Sequence, residues 1–348
     1  MTRDILISDP SLRDGNHAAK HQLRPEQIAL YCRLADAAGV PIVEVGHGNG
    51  VGASSLQLGE ACSSDEALLR TARENLPNSK LGIHAIPGFA TIERDLKPAI
   101  RMGVDIIRVA SHCTEADITE RMIRFARSQS LVTYGVLMMS HMADPATLLT
   151  EARKLESYGA HGVIIMDSAG AYVPADVTER VGTLVSGLGI DVGFHAHNNL
   201  GLAIANSIAA ADAGATMLDG CSRGFGAGAG NAQLEVLVAV LDKLGYHTGI
   251  DLYGVLDLAD RAERDIMTEL PTISSTSVVS GLSGVFSGFL KPVQRAAETY
   301  GLDARDIFFA LGRRKVVAGQ EDLILEVAKE LSSRVDDAGP RGFQPVTL

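Results

Sequence analysis

The chain has 348 residues, of which 46% are hydrophobic, only 5% aromatic, 36 glycine and none tryptophan. That length suits one large barrel with a small appendage, and the glycine-rich, aromatic-poor balance favours many short strands and tight turns over a helical bundle. With 31 basic and 42 acidic residues the net charge is −11, which offers no field for nucleic acid or an anionic membrane. The start, MTRDILISDP, has no apolar run of signal-peptide length, and no window approaches the roughly eighteen apolar residues of a membrane span, so a cytoplasmic protein is expected. The four cysteines, Cys32, Cys62, Cys113 and Cys221, lack paired spacing and read as reduced thiols.

In chain order, a first strand, Ile5–Asp9, leads to Ser11-Leu12-Arg13-Asp14-Gly15. An open doubly wound sheet would place a G-x-G-x-x-G there. Strands and amphipathic helices then alternate. Helix Pro25–Ala38 is followed by strand Ile42–Gly46, helix Ser64–Glu74 by strand Lys80–His84, and helix Ile92–Met102 by strand Ile106–Ala110. The pattern continues with Ile118–Ser128, Val132–Met138, Pro145–Tyr158, Gly162–Asp167, Pro174–Ser186, Asp191–His197, Gly201–Ala213, Thr216–Gly220 and Ala232–Leu244. Strand–helix units of about 25 to 35 residues imply parallel strands with crossover helices. Eight of them predict an α/β fold, a (β/α)8 TIM barrel. After a further helix, Val255–Met267, residues 269–288 are rich in Ser, Thr and Gly and read as a linker or lid. Phe289–Tyr300, Ala304–Leu311 and Asp322–Ser332 then predict a small helical C-terminal domain. The expected division is a barrel over 1–268, the linker, a helical domain over 289–335 and a flexible tail over 336–348.

Chemistry concentrates at the carboxyl ends of the strands. Phe194-His195-Ala196-His197 ends the seventh strand, and alternate strand residues share a face, so both imidazoles point into the barrel mouth. An isolated H-x-H is as often a hydrogen-bonded pair as a metal site. Asp14 decides between the two, because closure makes the first and seventh strands near neighbours across the eighth. One carboxylate and two imidazoles suit Mn²⁺, with Mg²⁺ or Co²⁺ as alternatives, better than a thiolate-rich zinc site. A metal there polarises the carbonyl of a 2-oxo acid. Arg13 could hold enolate or carboxylate oxygens, and His17, neutral near pH 7, could act as general base.

Weaker candidates surround these. Ser168, ending the sixth strand, reads equally as a carboxylate donor or a helix cap. Glu44, His47 and Asn49, and His112, Glu115 and Asp117, sit on the catalytic rim, where supporting the ligands and ordinary loop bonding are equally expected. Gly224–Asn231 reads as a phosphate cradle or as a plain close-approach turn. His161, His247 and the Met138–Met142 cluster read as structural.

With these residues in hand, the chain resembles the 4-hydroxy-2-oxovalerate aldolases, class II pyruvate aldolases of the HMG-CoA lyase-like superfamily of metal-dependent barrel lyases. The resemblance runs from Leu12-Arg13-Asp14-Gly15-Asn16-His17 through Gly46-His47-Gly48-Asn49-Gly50, Arg108–Asp117, Met138–Met142 and Asp167-Ser168-Ala169-Gly170. It continues over His195–Leu200 and Gly226–Ala232 to Gly319-Gln320-Glu321-Asp322. It implies a metal on Asp14, His195 and His197, an enolate stabilised by Arg13, a base at His17 for the 4-hydroxyl proton, and Ser168 near the pyruvate carboxylate. It also implies pyruvate and a short aldehyde as products, a role in aromatic hydrocarbon catabolism, and a homo- or hetero-oligomer. An acylating aldehyde dehydrogenase would dock on the helical domain and receive the aldehyde. Two departures stand out. Gly284-Val285-Phe286-Ser287-Gly288-Phe289 has Phe286 where the family has tyrosine, and His84-Ala85-Ile86-Pro87-Gly88 has His84 where the family has an apolar wall residue. Both lie on the substrate-binding, aldehyde side. Two other readings compete. A Claisen-type synthase that joins an acyl thioester to a 2-oxo acid would carry an acidic residue and arginine after the eighth strand, and Gly226–Gly230 has neither. A non-catalytic partner of a dehydrogenase would not need Arg13, Asp14, His17, His195 and His197 together.

Overall fold

Parallel strands separated by helices close on themselves in the computed structural model, which describes residues 3–317 and 319–333. The strands are β1 (Arg3–Asp4), β2 (Leu6–Leu12), β3 (Ile42–Val45), β4 (Lys80–Ala85) and β5 (Ile106–His112). They continue with β6 (Val132–Met138), β7 (Gly162–Asp167), β8 (Asp191–Ala196), β9 (Met217–Asp219) and β10 (Tyr246–His247). Strands β2 to β9 form the eight-stranded closed barrel, and β9 pairs back to β2 through Leu6–Met217, Ile7–Leu218 and Ser8–Asp219. The protein is therefore a (β/α)8 barrel. The pair β1–β10 forms a separate two-stranded ribbon, which two-residue strands give no periodicity to announce.

Residue parity along each strand decides what faces where. Val43, Ile83, Ile107, Val163, Val192 and Leu218 point outward into the main core beneath the helices. The alternate set, Ile42, Ile106, Tyr134, Val136, Ile164, Met166 and Met217, packs inside the barrel. Two residues further along the same inward face stand Glu44, Arg108, His195 and Asp219, so the interior changes from apolar to charged toward the carboxyl end. The helices cover the outer face in the usual amphipathic way. Pro25–Ala37 buries Ile28, Tyr31, Cys32 and Ala35, one face at 3.6-residue spacing. Asp65–Glu74 starts where the Ser64 side chain accepts from the Ala67 N–H, and Pro145–Ser157 where Asp144 accepts from Thr147.

Two segments depart most from expectation. The segment expected as one helix over Ile92–Met102 runs as a π-helical stretch, Ile92–Leu96, and then as α-helix, Lys97–Arg101. Pro98, which has no N–H to give, lies where the hydrogen-bond pattern changes. Within the expected linker, Ser275–Leu282 is a helix, capped by Ser274 accepting from the Ser277 N–H. Its buried residues are Ser277, Ser280 and Gly281, so no apolar stripe betrays it. Small residues let it approach Ala304–Arg313 closely: a Cβ on Gly312 would lie 2.3 Å from the Ser283 carbonyl oxygen.

The helices Leu290–Tyr300, Ala304–Arg313 and Asp322–Ser332 enclose a second core of Val293, Ile307, Phe308, Leu311, Ile324 and Val327. Gly301, at φ 65°, ends the first of them. The tail over 336–348 lies outside the described residues. Among the described residues no helix is long and apolar enough to cross a membrane.

Candidate active site at the carboxyl end of the barrel

The turn after β2 carries the first site residues. The Pro10 carbonyl accepts from the N–H groups of Arg13 (3.0 Å) and Asp14 (2.7 Å), which ends the strand and opens the one-turn helix Gly15–Ala18 that bears His17. Behind the turn, the Tyr31 hydroxyl donates to Asp9 at 2.5 Å, and Asp9 also accepts from the Ser11 N–H at 2.9 Å. This buried cluster fixes the strand end from the helix side.

From β8 and the residue after it, His195 and His197 point inward, and together with Asp14 they offer ligand atoms that all lie within 4.8 Å of one another, every one buried. The tautomers are set by acceptors that can only accept. His197 Nδ1 lies 2.9 Å from the Asp167 carbonyl oxygen and His195 Nδ1 lies 2.8 Å from the Asp219 carboxylate, so each Nδ1 carries the proton. Both Nε2 atoms are left buried without a hydrogen-bond partner. His197 Nε2 is 3.8 Å from Asp14 Oδ2. Ligands about 2.0–2.2 Å from one ion sit about 3–4 Å apart, so these residues fit a divalent metal. Two orphaned imidazole lone pairs facing a carboxylate have no other evident use.

Asp14 is held on both oxygens. Arg13 Nη1 donates to Oδ1 at 2.7 Å, while the Ala227 N–H (3.1 Å) and the Asn231 amide (2.8 Å) donate to Oδ2. Burial alone would raise the Asp14 carboxyl, but Arg13, His197 and His17 outweigh it and hold the group well below the usual carboxylate range. Of the two readings of Gly224–Asn231, the close-approach turn describes what is found. A Cβ on Gly226 would lie 2.6 Å from Asp14 Oδ2, so glycine is what lets the backbone reach the carboxylate. Asn231 closes the site with its Oδ1 buried and unpartnered.

Beneath the triad lies a buried set of alternating charges. Arg13 Nε donates to Glu44 at 2.6 Å, and Arg108 donates a two-pronged pair to Asp219 at 2.7 and 2.8 Å while its Nε lies 3.5 Å from Glu44. Arg13 Nη2 keeps no partner. His84 lies on the neighbouring strand, in register with Arg108, with its Nδ1 unpartnered. Burial, with Arg13 adding to it, pushes the imidazole down to about 3, so His84 is neutral at pH 7.

His17 borders a cavity of about 640 Å³ between the barrel mouth and the helical domain. Gly226–Gly228 and Phe286 also line it; His84 does not. Burial lowers His17 to about 4 against the opposing pull of Asp14, which leaves a neutral imidazole able to accept a proton. Phe286 packs edge-on to Phe289 at 5.7 Å. Its turn is tied to the barrel by the Ser287 N–H donating to the Ser168 carbonyl (2.9 Å), Ser287 Oγ donating to Asn199 (3.1 Å) and His141 Nε2 bonding the Gly284 carbonyl (2.9 Å). Ser168 Oγ accepts from the Met139 N–H at 2.9 Å, which orients the hydroxyl at the mouth. His47 bonds the Gly59 carbonyl at 2.9 Å and stacks on His21 at 3.6 Å, a role in loop structure. Arg108, Asp219 and Asn231 are the buried polar partners that inspection of strand-end motifs misses.

Comparison with known proteins agrees with this geometry. The HMGL-like family matches residues 4–261, and the DmpG-like communication domain matches residues 271–333. A 4-hydroxy-2-oxovalerate aldolase of Spirochaeta aurantia is 66% identical over 330 residues, 95% of this chain and 97% of the relative. One from Pectobacterium atrosepticum is 60% identical over 342 residues, 98% of this chain and 100% of the relative. Among solved structures, the carboxyl transferase domain of Rhizobium etli pyruvate carboxylase, with pyruvate, superposes with a TM-score of 0.79 at 19% identity. That likeness covers 97% of this chain and 63% of the other, and it bears on the fold alone. The chain belongs to the HMGL-like barrels and, within them, to the 4-hydroxy-2-oxovalerate aldolase family.

Proposed function

We propose that the protein is a divalent-metal-dependent aldolase that cleaves a 4-hydroxy-2-oxo acid, 4-hydroxy-2-oxovalerate or a close relative, to pyruvate and a short aldehyde, and runs the reverse addition. The observation that carries this reading is the convergence of Asp14, His195 and His197 beside the free Arg13 Nη2 and the neutral His17. When bound to that triad, the ion, for which we favour Mn²⁺ over Mg²⁺ or Co²⁺, supplies Lewis acidity toward the 2-oxo group. The chain's own residues do the rest. His17 takes the proton of the 4-hydroxyl as the C3–C4 bond breaks; the bonding pair passes to the pyruvate fragment as its enolate, and the hydroxyl carbon leaves as the aldehyde carbonyl. Arg13 faces the enolate oxygen with the one guanidinium nitrogen that Glu44, Asp14 and Gly48 leave unused. Ser168 donates its hydroxyl to the substrate carboxylate. We also propose a cytoplasmic setting, in keeping with four cysteines that lack paired spacing in the sequence.

The test is to incubate the purified protein and Mn²⁺ with pyruvate and a panel of aldehydes and identify adducts by mass. Aldol adducts of pyruvate are expected. Absence of any adduct, together with no pyruvate release from 4-hydroxy-2-oxo acids, overturns the reading.

The aldehyde side is expected to set this protein apart. Phe286 cannot donate or accept a hydrogen bond, and a phenol's loss costs about 1–3 kcal/mol where a buried partner is left unpaired. His84 stands deeper than the cavity that Phe286 lines, and its neutral, unpartnered Nδ1 supports a preference for an aldehyde bearing a hydroxyl or carboxylate only where the substrate reaches the inner wall beside Arg108. Phe286→Tyr and His84→Leu should therefore shift the ranking of apolar against polar aldehydes, or the configuration of the product. If the wild type favours acetaldehyde with a single configuration and neither substitution changes that, the two positions do not set specificity.

The aldehyde's onward partner is proposed to be an acylating aldehyde dehydrogenase on the helical domain, in a hetero-oligomer. The communication-domain match and the exposure of Leu325, 56% accessible on the outer helix, support it. Sedimentation of the chain alone and mixed with such a dehydrogenase checks it, and an unchanged mass on mixing would remove the partner.

A further inference from the structure

The two metal-facing imidazoles are oriented in different ways. His197 gives its Nδ1 proton to a backbone carbonyl, which the fold supplies whatever the side chains. His195 gives its own to a side chain, Asp219, 1% exposed and 2.8 Å away. Asp219 in turn has no freedom to rotate away. Arg108, 2% exposed at its side chain, spans the barrel interior from β5 and grips both carboxylate oxygens with its terminal nitrogens. Arg108 is itself pinned by Glu44 on its Nε side at 3.5 Å and by Met217 Sδ at 3.4 Å. The chain of contacts runs Glu44, Arg108, Asp219, His195, with every member buried.

We propose, on the basis of the aldolase reading above, that Arg108 and Asp219 are positioning residues for metal binding: Asp219 holds His195 with Nδ1 protonated and Nε2 free, and Arg108 holds Asp219. The geometry gives each a distinct task. A carboxylate is an obligate acceptor, so while it faces Nδ1 the neutral ring carries its one proton there and keeps the Nε2 lone pair for the ion. A two-pronged guanidinium fixes both the plane and the distance of that carboxylate, which an ammonium at a single point cannot do. Buried ion pairs contribute little net stability once desolvation is counted, so a role in orientation accounts for the arrangement better than one in holding the barrel closed. Neither residue belongs to the Asp14, His195 and His197 triad.

The experiment is a calorimetric titration of Mn²⁺, without substrate, into metal-free wild type, Arg108→Met, Arg108→Lys and Asp219→Asn. Circular dichroism and a melting curve accompany each titration. Arg108→Met should bind Mn²⁺ about 10- to 100-fold more weakly while folded. Arg108→Lys, which keeps the cation and loses the fork, should recover only part of the affinity. At saturating Mn²⁺ the KM for the 2-oxo acid should stay near the wild-type value, because neither residue meets substrate. A merely structural role predicts the opposite pattern, a lower melting temperature with unchanged Mn²⁺ affinity, and that result overturns the proposal. If Arg108→Met does not fold, Asp219→Asn decides, being nearly isosteric yet able to turn its NH₂ toward Nδ1; full Mn²⁺ affinity there also overturns it. Failure of the aldolase reading looks different, since wild type would then bind Mn²⁺ and show this dependence without making any adduct.

Discussion

Replacing Asp14 by asparagine is expected to remove tight Mn²⁺ binding and, with it, turnover by about three orders of magnitude or more, since Lewis-acid stabilisation is worth several kcal/mol and each 1.36 kcal/mol is tenfold. The shape of the side chain survives, but its chemistry does not. Asp14 Oδ2 receives donors from Ala227 and Asn231, and Oδ1 receives Arg13, so the fully charged carboxylate is built into the site before any ion arrives. An amide in that place must turn its NH₂ either toward the Ala227 and Asn231 donors or toward the Arg13 guanidinium, and it leaves Arg13 balanced by Glu44 alone. A buried partner stripped from such a pair costs stability as well, about 3–5 kcal/mol at the upper end. Calorimetric Mn²⁺ titration and turnover, both on protein shown to melt cooperatively, are the measurements. Wild-type Mn²⁺ affinity in Asp14→Asn would exclude Asp14 as a ligand.

The barrel is legible in the chain because most of its strands are short apolar runs followed by a 3.6-residue pattern, and crossover geometry leaves few ways to arrange eight such units. The candidate metal triad is legible for a related reason: strand parity alone puts His195 and His197 on one face, and closure brings Asp14 to them. What stays hidden depends on tertiary contact. Asn231 leaves a glycine turn to meet Asp14, and nothing in Gly226–Gly230 announces the carboxylate it wraps. Arg108 lies within β5 rather than at its end, where a search for catalytic motifs does not look, and Asp219 closes the three-residue strand β9 with no motif around it. Their signal is a charge inside an apolar run, Ile106-Ile107-Arg108-Val109, since a lone charge that faces a barrel interior must be paired. The Ser275–Leu282 helix is hidden for the opposite reason, because serine and glycine make its buried face and leave no hydrophobic period to read. His84 is visible as a polar residue on a wall strand, but whether it reaches the same chamber as Phe286 depends on depth along the barrel, which pattern does not encode. Phe286 lines the outer cavity, whereas His84 stands deeper, beside Arg108.

Exchange of Arg13 for lysine separates charge from geometry at the point where the proposed mechanism develops negative charge. The guanidinium uses Nε for Glu44 (2.6 Å) and Nη1 for Asp14 (2.7 Å) and the Gly48 carbonyl (3.3 Å), and this leaves Nη2 aimed from a fixed plane with no protein partner. Lysine can keep a cation near Asp14 or near Glu44, but a single ammonium cannot hold both carboxylates and still present a free donor to an enolate. The interaction that disappears exists mainly in the transition state, when the electron pair from the broken bond reaches the oxygen, so it is kcat that suffers. A fall of two or more orders of magnitude is expected, about 3 kcal/mol, with substrate KM changed far less. Exchange of the pyruvate methyl protons with solvent offers a second measurement that needs no aldehyde, because it requires the same enolate. It should slow in parallel with cleavage in Arg13→Lys, at Mn²⁺ concentrations that saturate the variant. Slow cleavage with wild-type exchange would move Arg13 from the enolate to the aldehyde half of the reaction, and overturn its role at the enolate oxygen.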